Sequence, residues 1–547
     1  MKRRDFLAAL TVPGIQGAAG VLGTLQTGPE LARPTAAQLA WLDLEIGMFV
    51  HLAPNTWQDR EYDDGSIPPA ELPFAAEPEQ WAETAAGLGA RYIVLVAKHQ
   101  GGFCLWQTET SAYSVRATRW KDGTGDVMAE LAAACTRRGL GLGVYLSPRD
   151  DFLGAGQSGR TASPEKQDGY NAIVRQQLTE LLTRYGPMVE IWFDGSSVVP
   201  VGDILAAHAG RAMVFQGPQA TIRWVGNEDG FAPDPVWNAL DRVDADSGIA
   251  TALHGDPRGG AWMPLEVDVS IRRPNWFWST TNQERLLTRD QLLEIYYRSV
   301  GRGAQLLLNL APDRSGRIPE ADAERATELG RELRARFAKP AAETSGRGLA
   351  VTLGMAAATP VDHVVLEEDL RTGQRILTYR LEGRIGGRWQ SLGGGTSIGH
   401  KRIHPIAPRR YDAIRASFPS ALGTPALRRL AAFRTGAAAP PNWARGAGIW
   451  ADDRAGTWSG ATLDIDLTEK ITAATQYRLR LVATGGDTTV LTQAELLVNG
   501  VPAPSLLRRP AGRTDVLLLT IPALGQTVRI RGRTPEGSTG VVLLRRL

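Results

Sequence analysis

Eight short apolar runs, separated by segments with helical spacing, dominate the sequence from about residue 40 to residue 337. Strands that alternate with amphipathic helices are typical of parallel sheets joined by crossover helices. The predicted strands are Ile46 to Leu52, Arg91 to Ala97, Gly141 to Leu146, Met188 to Phe193, Ala212 to Phe215, Thr221 to Gly226, Leu265 to Ile271 and Ala304 to Leu310. Apolar residues at three- and four-residue spacing predict helices at Trp81 to Leu88, Val127 to Arg138, Ala172 to Tyr185 and Arg289 to Ser299. We therefore predict an α/β fold, a (β/α)8 TIM-like barrel over residues 38–340, with a doubly wound open sheet as the alternative.

The chain changes character after residue 340, where alternating apolar and polar residues are separated by glycine clusters. This pattern is typical of antiparallel strands. A stretch of low complexity from Thr435 to Pro441 divides the region. We predict all-β sandwich modules at residues 345–435 and 445–547, in which Trp443, Trp450 and Trp458 either pack in a core or hold a sugar.

Residues 1–30 have the layout of an export signal. A basic start is followed by Phe6-Leu7 and a weakly apolar stretch, and the order Arg3-Arg4-Asp5-Phe6-Leu7 is similar to a twin-arginine signal. An ordinary secretory signal or a lipid-facing anchor is the alternative. No later stretch approaches the roughly 18 apolar residues of a membrane span, so we expect a bacterial protein that is periplasmic or secreted.

The charge balance and the cysteine count exclude several classes of protein. Lysine and arginine number 61 against 58 acidic residues, and this balance disfavours a nucleic-acid partner. Two cysteines, Cys104 and Cys135, cannot form a four-thiolate metal site. His51 and His99 lie on separate predicted strands without a third histidine or cysteine at ligand spacing, so we predict no metal and no cofactor.

Polar and aromatic residues cluster where the predicted barrel strands end, which is where active sites of such barrels lie. Two carboxylates facing one mouth would suit glycoside cleavage, one attacking the anomeric carbon and one protonating the leaving oxygen. Each residue also has a structural interpretation: Asp194 could cap a helix, and the histidines and tryptophans could simply be buried. The residues are His51, Lys98, His99, Gln100, Tyr145, Asp150, Trp192, Asp194, Asn227, Glu228, Glu266, Asp268 and Trp276.

These residues lie in motifs that resemble those of glycoside hydrolase family 29, the retaining α-L-fucosidases. Residues 191–195, IWFDG, resemble the family's nucleophile motif, and residues 98–106, KHQGGFCLW, resemble its KHHDGFCLW segment. Residues 223–228 and 268–272 resemble the branch that acts on α-1,3/1,4-linked fucose. The chain departs from the family pattern at Gln100, where histidine is usual, and at Tyr62, where tryptophan usually follows the glutamate.

The resemblance implies an exo-α-L-fucosidase that acts by double displacement on fucosylated oligosaccharides or glycoconjugates. It implies Asp194 as nucleophile and, through the sequence Gly226-Asn227-Glu228, Glu228 as acid/base, with Glu266 as the alternative. It also implies sugar contacts from His51, Glu61, Tyr62, His99, Gln100, Tyr145, Trp192 and Trp276. A catalytically weakened, lectin-like fucose-binding protein is the alternative function.

Overall fold

The computed structural model describes residues 31–63, 65–240, 242, 255–437, 453–471, 476–485, 493–502, 506–508, 514–520, 526–533 and 539–546. The predicted export signal lies outside these residues, as do Trp443 and Trp450. In the part of the chain that the structure describes, no helix is long and apolar enough to cross a membrane. Both cysteines are buried free thiols.

An eight-stranded parallel sheet forms the first part of the molecule, with the order β5-β4-β3-β2-β1-β10-β9-β6. A parallel bridge between Phe215 and Ile222 brings its two ends together, so the sheet is a nearly closed barrel and not the open alternative. All eight predicted strands are present. The strands, with a short β7–β8 ribbon outside the barrel, are β1 (Ile46–Val50), β2 (Tyr92–Lys98), β3 (Gly141–Leu146), β4 (Met188–Trp192), β5 (Met213–Phe215), β6 (Arg223–Trp224), β7 (Ala239–Leu240), β8 (Ala261–Trp262), β9 (Leu265–Ser270) and β10 (Gln305–Asn309).

Burial on both faces explains why these strands are continuous apolar runs. In β1, Phe49 packs inside the barrel with Tyr92 and Trp192. Its neighbours Met48 and Val50 pack in a separate core that includes the helices. Side chains of a strand therefore alternate between the barrel interior and the layer beneath the helices.

Within the residues that the structure describes, eight helices accompany the strands, and the four predicted from spacing are among them. The helix α5 begins at Pro164 and not at Ala172, with Ser163 as its capping residue. Its first two turns are mostly exposed and carry no apolar stripe, so spacing alone could not detect them. The helices are α1 (Ala36–Leu42), α2 (Pro54–Gln58), α3 (Pro78–Leu88), α4 (Val127–Arg138), α5 (Pro164–Arg184), α6 (Gly202–His208), α7 (Arg289–Arg298) and α8 (Glu320–Phe337).

Antiparallel sheets follow the barrel, which confirms the all-β prediction. A six-stranded sheet comprises β11 (Ala342–Arg347), β12 (Ala350–Glu368), β13 (Ile376–Ile385), β14 (Arg388–Gly395), β15 (Arg402–Ala421) and β16 (Ala426–Phe433). Sheets of five and four strands comprise β17 (Asp453–Ser459), β18 (Thr462–Asp466), β19 (Gln476–Gly485), β20 (Gln493–Val498), β21 (Val501–Pro502), β22 (Leu506–Arg508), β23 (Thr514–Thr520), β24 (Val528–Arg533) and β25 (Thr539–Arg546). Trp458 is 5% exposed and belongs to the core there, not to a sugar platform.

The six-stranded sheet also braces the barrel. Gln374 Oε1 accepts from the backbone N–H of Asn238 at 3.0 Å, and its Nε2 donates to Val236 O at 3.0 Å. Ser397 Oγ accepts from the N–H of Val236 at 3.2 Å. The segment between β6 and β7 is therefore held from outside the barrel.

Candidate active site

A cavity of about 130 Å³ opens at the carboxyl ends of the barrel strands. It brings together seven of the residues singled out from the sequence as catalytic or sugar-binding: His51, His99, Tyr145, Trp192, Asp194, Glu228 and Trp276. The remaining wall residues are Phe49, Phe215, Gln216, Trp224 and Asp268. Four predicted residues, Glu61, Tyr62, Gln100 and Glu266, are not part of this wall.

Asp194 lies two residues beyond the end of β4 and presents its carboxyl to the cavity. Tyr145 Oη donates to Asp194 Oδ2 at 3.1 Å. The carboxyl is open to solvent in the cavity, but partial desolvation by the surrounding protein still raises its pKa. Hydrogen bonds from Tyr145 and from the Gly195 backbone oppose this and lower the pKa. Helix α6 starts only at Gly202, with Val201 as its capping residue, so Asp194 does not cap it.

Glu228 lies in the loop after the two-residue strand β6 and is half-buried. Asn227 shapes this loop, since its Oδ1 accepts from the N–H of Asp229 at 3.0 Å and its Nδ2 donates to Phe231 O at 3.2 Å. Burial raises the pKa of Glu228, and the negative charge of Asp194 raises it further. The positive charge of Arg273 and a hydrogen bond from Trp276 oppose this and lower the pKa. A raised pKa favours the protonated form of Glu228, which is the form that a general acid needs.

Aromatic rings form the walls around the two carboxyls. Trp192 stacks on Phe215 with ring centroids 3.5 Å apart, and Phe49 packs against Trp192 at 4.9 Å. His99 stacks beside Tyr145 at 6.0 Å. Such rings can pack on the apolar face of a sugar and shield the carboxyls from bulk water.

The two histidines are neutral hydrogen-bonding groups. Burial lowers the pKa of His51 to about 3 and that of His99 to about 4. Asn309 Nδ2 donates to Trp276 O at 2.8 Å, so its Oδ1 accepts from His51 Nδ1 at 2.8 Å. That assignment leaves Nε2 of His51 as an acceptor for a hydroxyl.

Three predicted sugar contacts lie away from the cavity wall. Glu61 accepts from the backbone N–H of Trp276 at 2.8 Å and from Asn275 at 3.3 Å, so it fixes the loop that carries Trp276. Tyr62 is 68% exposed. The backbone carbonyl of Gln100 accepts a hydrogen bond from the backbone N–H of Asp151 at 2.8 Å.

Glu266 lies in the barrel interior, deeper than the cavity. It is the second residue of β9 and is fully buried, whereas Asp268, two residues further on the same face, reaches the cavity wall. Burial raises the pKa of Glu266, and the adjacent Glu190 raises it further. Glu190 in turn accepts hydrogen bonds from Trp41 at 2.8 Å and from Trp192. Glu266 therefore belongs to a buried carboxyl pair, and its prediction as an alternative acid/base is not supported by its position.

Four wall residues were not singled out from the sequence: Phe49, Phe215, Gln216 and Trp224. Phe49 stands two residues before His51, and Phe215 ends β5. Residues two apart lie on the same face of a strand, so counting back two residues from His51 would have identified Phe49 as a wall residue. Among the described residues, no group of three or more histidine, cysteine or acidic side chains could hold a metal ion.

A nearly closed parallel barrel with two carboxyls between aromatic walls at its carboxyl end is the arrangement of a glycoside hydrolase. Comparison with known proteins identifies which family of glycoside hydrolases this is. Residues 73–336 match the family described as alpha-L-fucosidase. Alpha-L-fucosidase 1 of Arabidopsis thaliana is 33% identical over 425 residues, which cover 69% of this chain and 82% of the plant protein. The chain belongs to the α-L-fucosidases of glycoside hydrolase family 29.

Two solved structures of this family resemble the chain. A Ruminococcus gnavus GH29 fucosidase, solved in complex with fucose, has 26% identity and a TM-score of 0.66, covering 76% of this chain and 98% of its own. A GH29 family member from an unknown rumen bacterium has 26% identity and a TM-score of 0.66 and covers 94% of this chain and 100% of its own.

Proposed function

We propose that this enzyme releases α-L-fucose by a retaining double displacement, with Asp194 as nucleophile and Glu228 as acid/base. The observation that carries the proposal is that one cavity contains both carboxyls, each on a different strand end. Retaining glycosidases need such a pair on the two sides of the scissile bond.

In the first step an Asp194 oxygen attacks the anomeric carbon while Glu228 gives its proton to the departing glycosidic oxygen. The bond to the leaving group breaks and a fucosyl ester forms on Asp194. Tyr145 donates to Oδ2 and therefore holds the carboxylate in one orientation. The neutral histidines His51 and His99 are suited to bind sugar hydroxyls without adding charge.

In the second step Glu228 acts as a base and takes a proton from water as the water oxygen attacks the anomeric carbon; the bond from that carbon to Asp194 breaks, which releases α-L-fucose and restores the Asp194 carboxylate. The electrostatics favour this change of role. The negative charge of Asp194 raises the pKa of Glu228 in the free enzyme. Ester formation removes that charge, so the pKa of Glu228 falls when a base is required.

We propose α-1,3- or α-1,4-linked fucose on a branched glycan as the preferred substrate. The support is the resemblance of residues 223–228 and 268–272 to the branch of the family with that preference. Contacts with the neighbouring sugar would align the glycosidic bond, and a small aryl group cannot replace them. The lectin-like alternative is less favoured because both carboxyls are present in the cavity.

The decisive experiment compares fucose release from an α-1,3- or α-1,4-fucosylated trisaccharide, an α-1,2-fucosylated one and an aryl fucoside. We expect the first substrate to have the highest kcat/KM and the released sugar to keep the α configuration by NMR. Asp194→Asn serves as the control against contaminating activity. Binding of the trisaccharide without turnover would favour the lectin-like alternative, and a β product would exclude the retaining mechanism.

We also propose that residues 1–30 direct export through the twin-arginine route to the periplasm or the medium. The support is the Arg3-Arg4-Asp5-Phe6-Leu7 sequence. Replacing both arginines by lysine should leave the enzyme in the cytoplasm of a bacterial host, and unchanged export would contradict the proposal.

A further inference from the structure

Asp268 is a third carboxyl in the wall of the catalytic cavity. It lies on the inward face of β9, is 5% exposed and shares the cavity with Asp194 and Glu228. Trp224, also in the wall, donates from Nε1 to Asp268 Oδ1 at 2.6 Å. The proposed double displacement uses two carboxyls and leaves this one without a role.

The surroundings of Asp268 disfavour a negative charge. Burial raises its pKa well above the usual range for aspartate, and the negative charges of Glu228 and Asp194 raise it further, against the hydrogen bond from Trp224. Glu266, which lies two residues earlier on the same strand and deeper in the barrel, adds another carboxyl group. Carboxyls that lie close together disfavour one another's ionisation, and burial adds most to this for the least exposed of them, so the protonated form is favoured at Asp268 and Glu266.

We propose that Asp268 is an uncharged hydrogen-bond donor to an oxygen of the bound sugar, and that it fixes Trp224 as part of the same wall. The proposal deepens the proposed function, because the sugar in question is the fucosyl unit held between Asp194 and Glu228. Oδ1 accepts from Trp224, so the proton is carried by Oδ2. A neutral acid at this position can donate a hydrogen bond to a sugar oxygen, which a carboxylate cannot do.

Two substitutions separate this role from that of a carboxylate. Asp268→Asn keeps an acceptor for Trp224 and replaces the O–H donor by an N–H donor. Asp268→Ala removes both. We expect Asp268→Ala to lower kcat/KM about 10- to 100-fold, and Asp268→Asn to retain at least about tenfold more activity than Asp268→Ala. Asp203→Asn on the surface of α6 is the matched control.

The pH profile supplies a second readout. The basic limb reports loss of the proton of Glu228, and an uncharged Asp268 does not influence it. Asp268→Asn should leave that limb in place. Two outcomes would show that Asp268 works as an anion and would overturn the proposal: a basic limb displaced to lower pH, and an Asn variant as impaired as the Ala variant. An Ala variant without a defect would also overturn the proposal, because Asp268 would then have no role in binding.

Two further measurements keep the test independent of the proposed function and of folding. Fucose affinity by calorimetry does not depend on the roles of Asp194 and Glu228, and it should fall in Asp268→Ala more than in Asp268→Asn. Infrared difference spectra should show a protonated carboxyl band in the wild type at neutral pH that Asp268→Asn lacks; an unchanged spectrum contradicts the proposal even if Asp268→Ala fails to fold. Asp194→Asn and Glu228→Gln test the double displacement separately.

Discussion

The two halves of the barrel differ in regularity, and each contributes one of the two carboxyls proposed to be catalytic. Strands β1 to β4 have five to seven residues each and pair in parallel with their neighbours. In the second half β5 and β6 have only three and two residues, although β9 and β10 have six and five. Asp194 follows the regular strand β4, whereas Glu228 lies in the loop after the two-residue β6. The Asp194 carboxyl is thus positioned by the sheet itself, and the Glu228 carboxyl is positioned by contacts that its loop makes with other parts of the chain.

The two halves differ in how deeply their ion pairs are buried. Inside the regular half, Lys98 Nζ and Asp150 Oδ2 form an ion pair at 2.9 Å, with both side chains fully buried. In the irregular half the loop of Glu228 makes ion pairs through the partly exposed carboxylates of Asp229 and Asp234, to Arg273 and Arg402. Gln374 and Ser397 add neutral hydrogen bonds to the same segment from outside the barrel. This comparison leads to four predictions.

The largest effect is expected at the nucleophile. Asp194→Ala should lower kcat about 10⁴-fold or more on every substrate, because no other group can form the fucosyl ester. A fluorinated fucosyl inactivator should label Asp194 in the wild type, as peptide mapping would show. A label on another residue would show that Asp194 is not the nucleophile and that the regular half does not supply it.

The next effect concerns the loop carboxyl and depends on the leaving group. Glu228→Ala should lower kcat/KM about 10²- to 10⁴-fold on an oligosaccharide, and far less on a substrate whose leaving group needs no proton. Azide should then restore turnover and yield a fucosyl azide. Glu266→Ala is the matched comparison, and azide rescue of that variant alone would exchange the two roles.

Third in size is the loss of the buried ion pair. Lys98→Met leaves Asp150 as an uncompensated buried charge, so the free energy of unfolding should fall by about 3–5 kcal/mol. Denaturant unfolding would measure it. The double variant Lys98→Met/Asp150→Leu should recover much of the loss, whereas Arg175→Ala at the exposed pair with Asp203 should change little. A double variant as unstable as the single one would contradict this account.

The smallest effect is expected at the brace of the irregular half. Gln374→Ala leaves the Asn238 N–H and the Val236 carbonyl without these partners and should cost about 1–3 kcal/mol of stability. Activity on an oligosaccharide should fall more than activity on an activated aryl fucoside, because the loop of Glu228 is displaced. Gln390→Ala, at an exposed position of β14, is the control. Equal losses on both substrates would show that the sheet supports the whole barrel and not this half.

The sequence predicted the long barrel strands better than the loop of Glu228 for a physical reason. Strands buried on both faces are continuous apolar runs, so β1 to β4, β9 and β10 were detectable, together with the ends that carry His51 and Asp194. Alternation puts Glu266 and Asp268 on the same face of β9, and only the structure shows that Asp268, and not Glu266, reaches the cavity. The contacts of Gln374 and Ser397 with the loop segment are 136 to 161 residues apart in sequence, and no local pattern indicates them.

That brace has a consequence for biosynthesis. As the chain leaves the ribosome, β1 to β4 and Asp194 emerge first, and the segment that follows Glu228 cannot gain its external hydrogen bonds until Gln374 and Ser397 have been translated. The proposed nucleophile is thus made early, and the loop of the proposed proton donor gains its external hydrogen bonds late. The smallest translation product in which that loop has all of these hydrogen bonds therefore extends past residue 397.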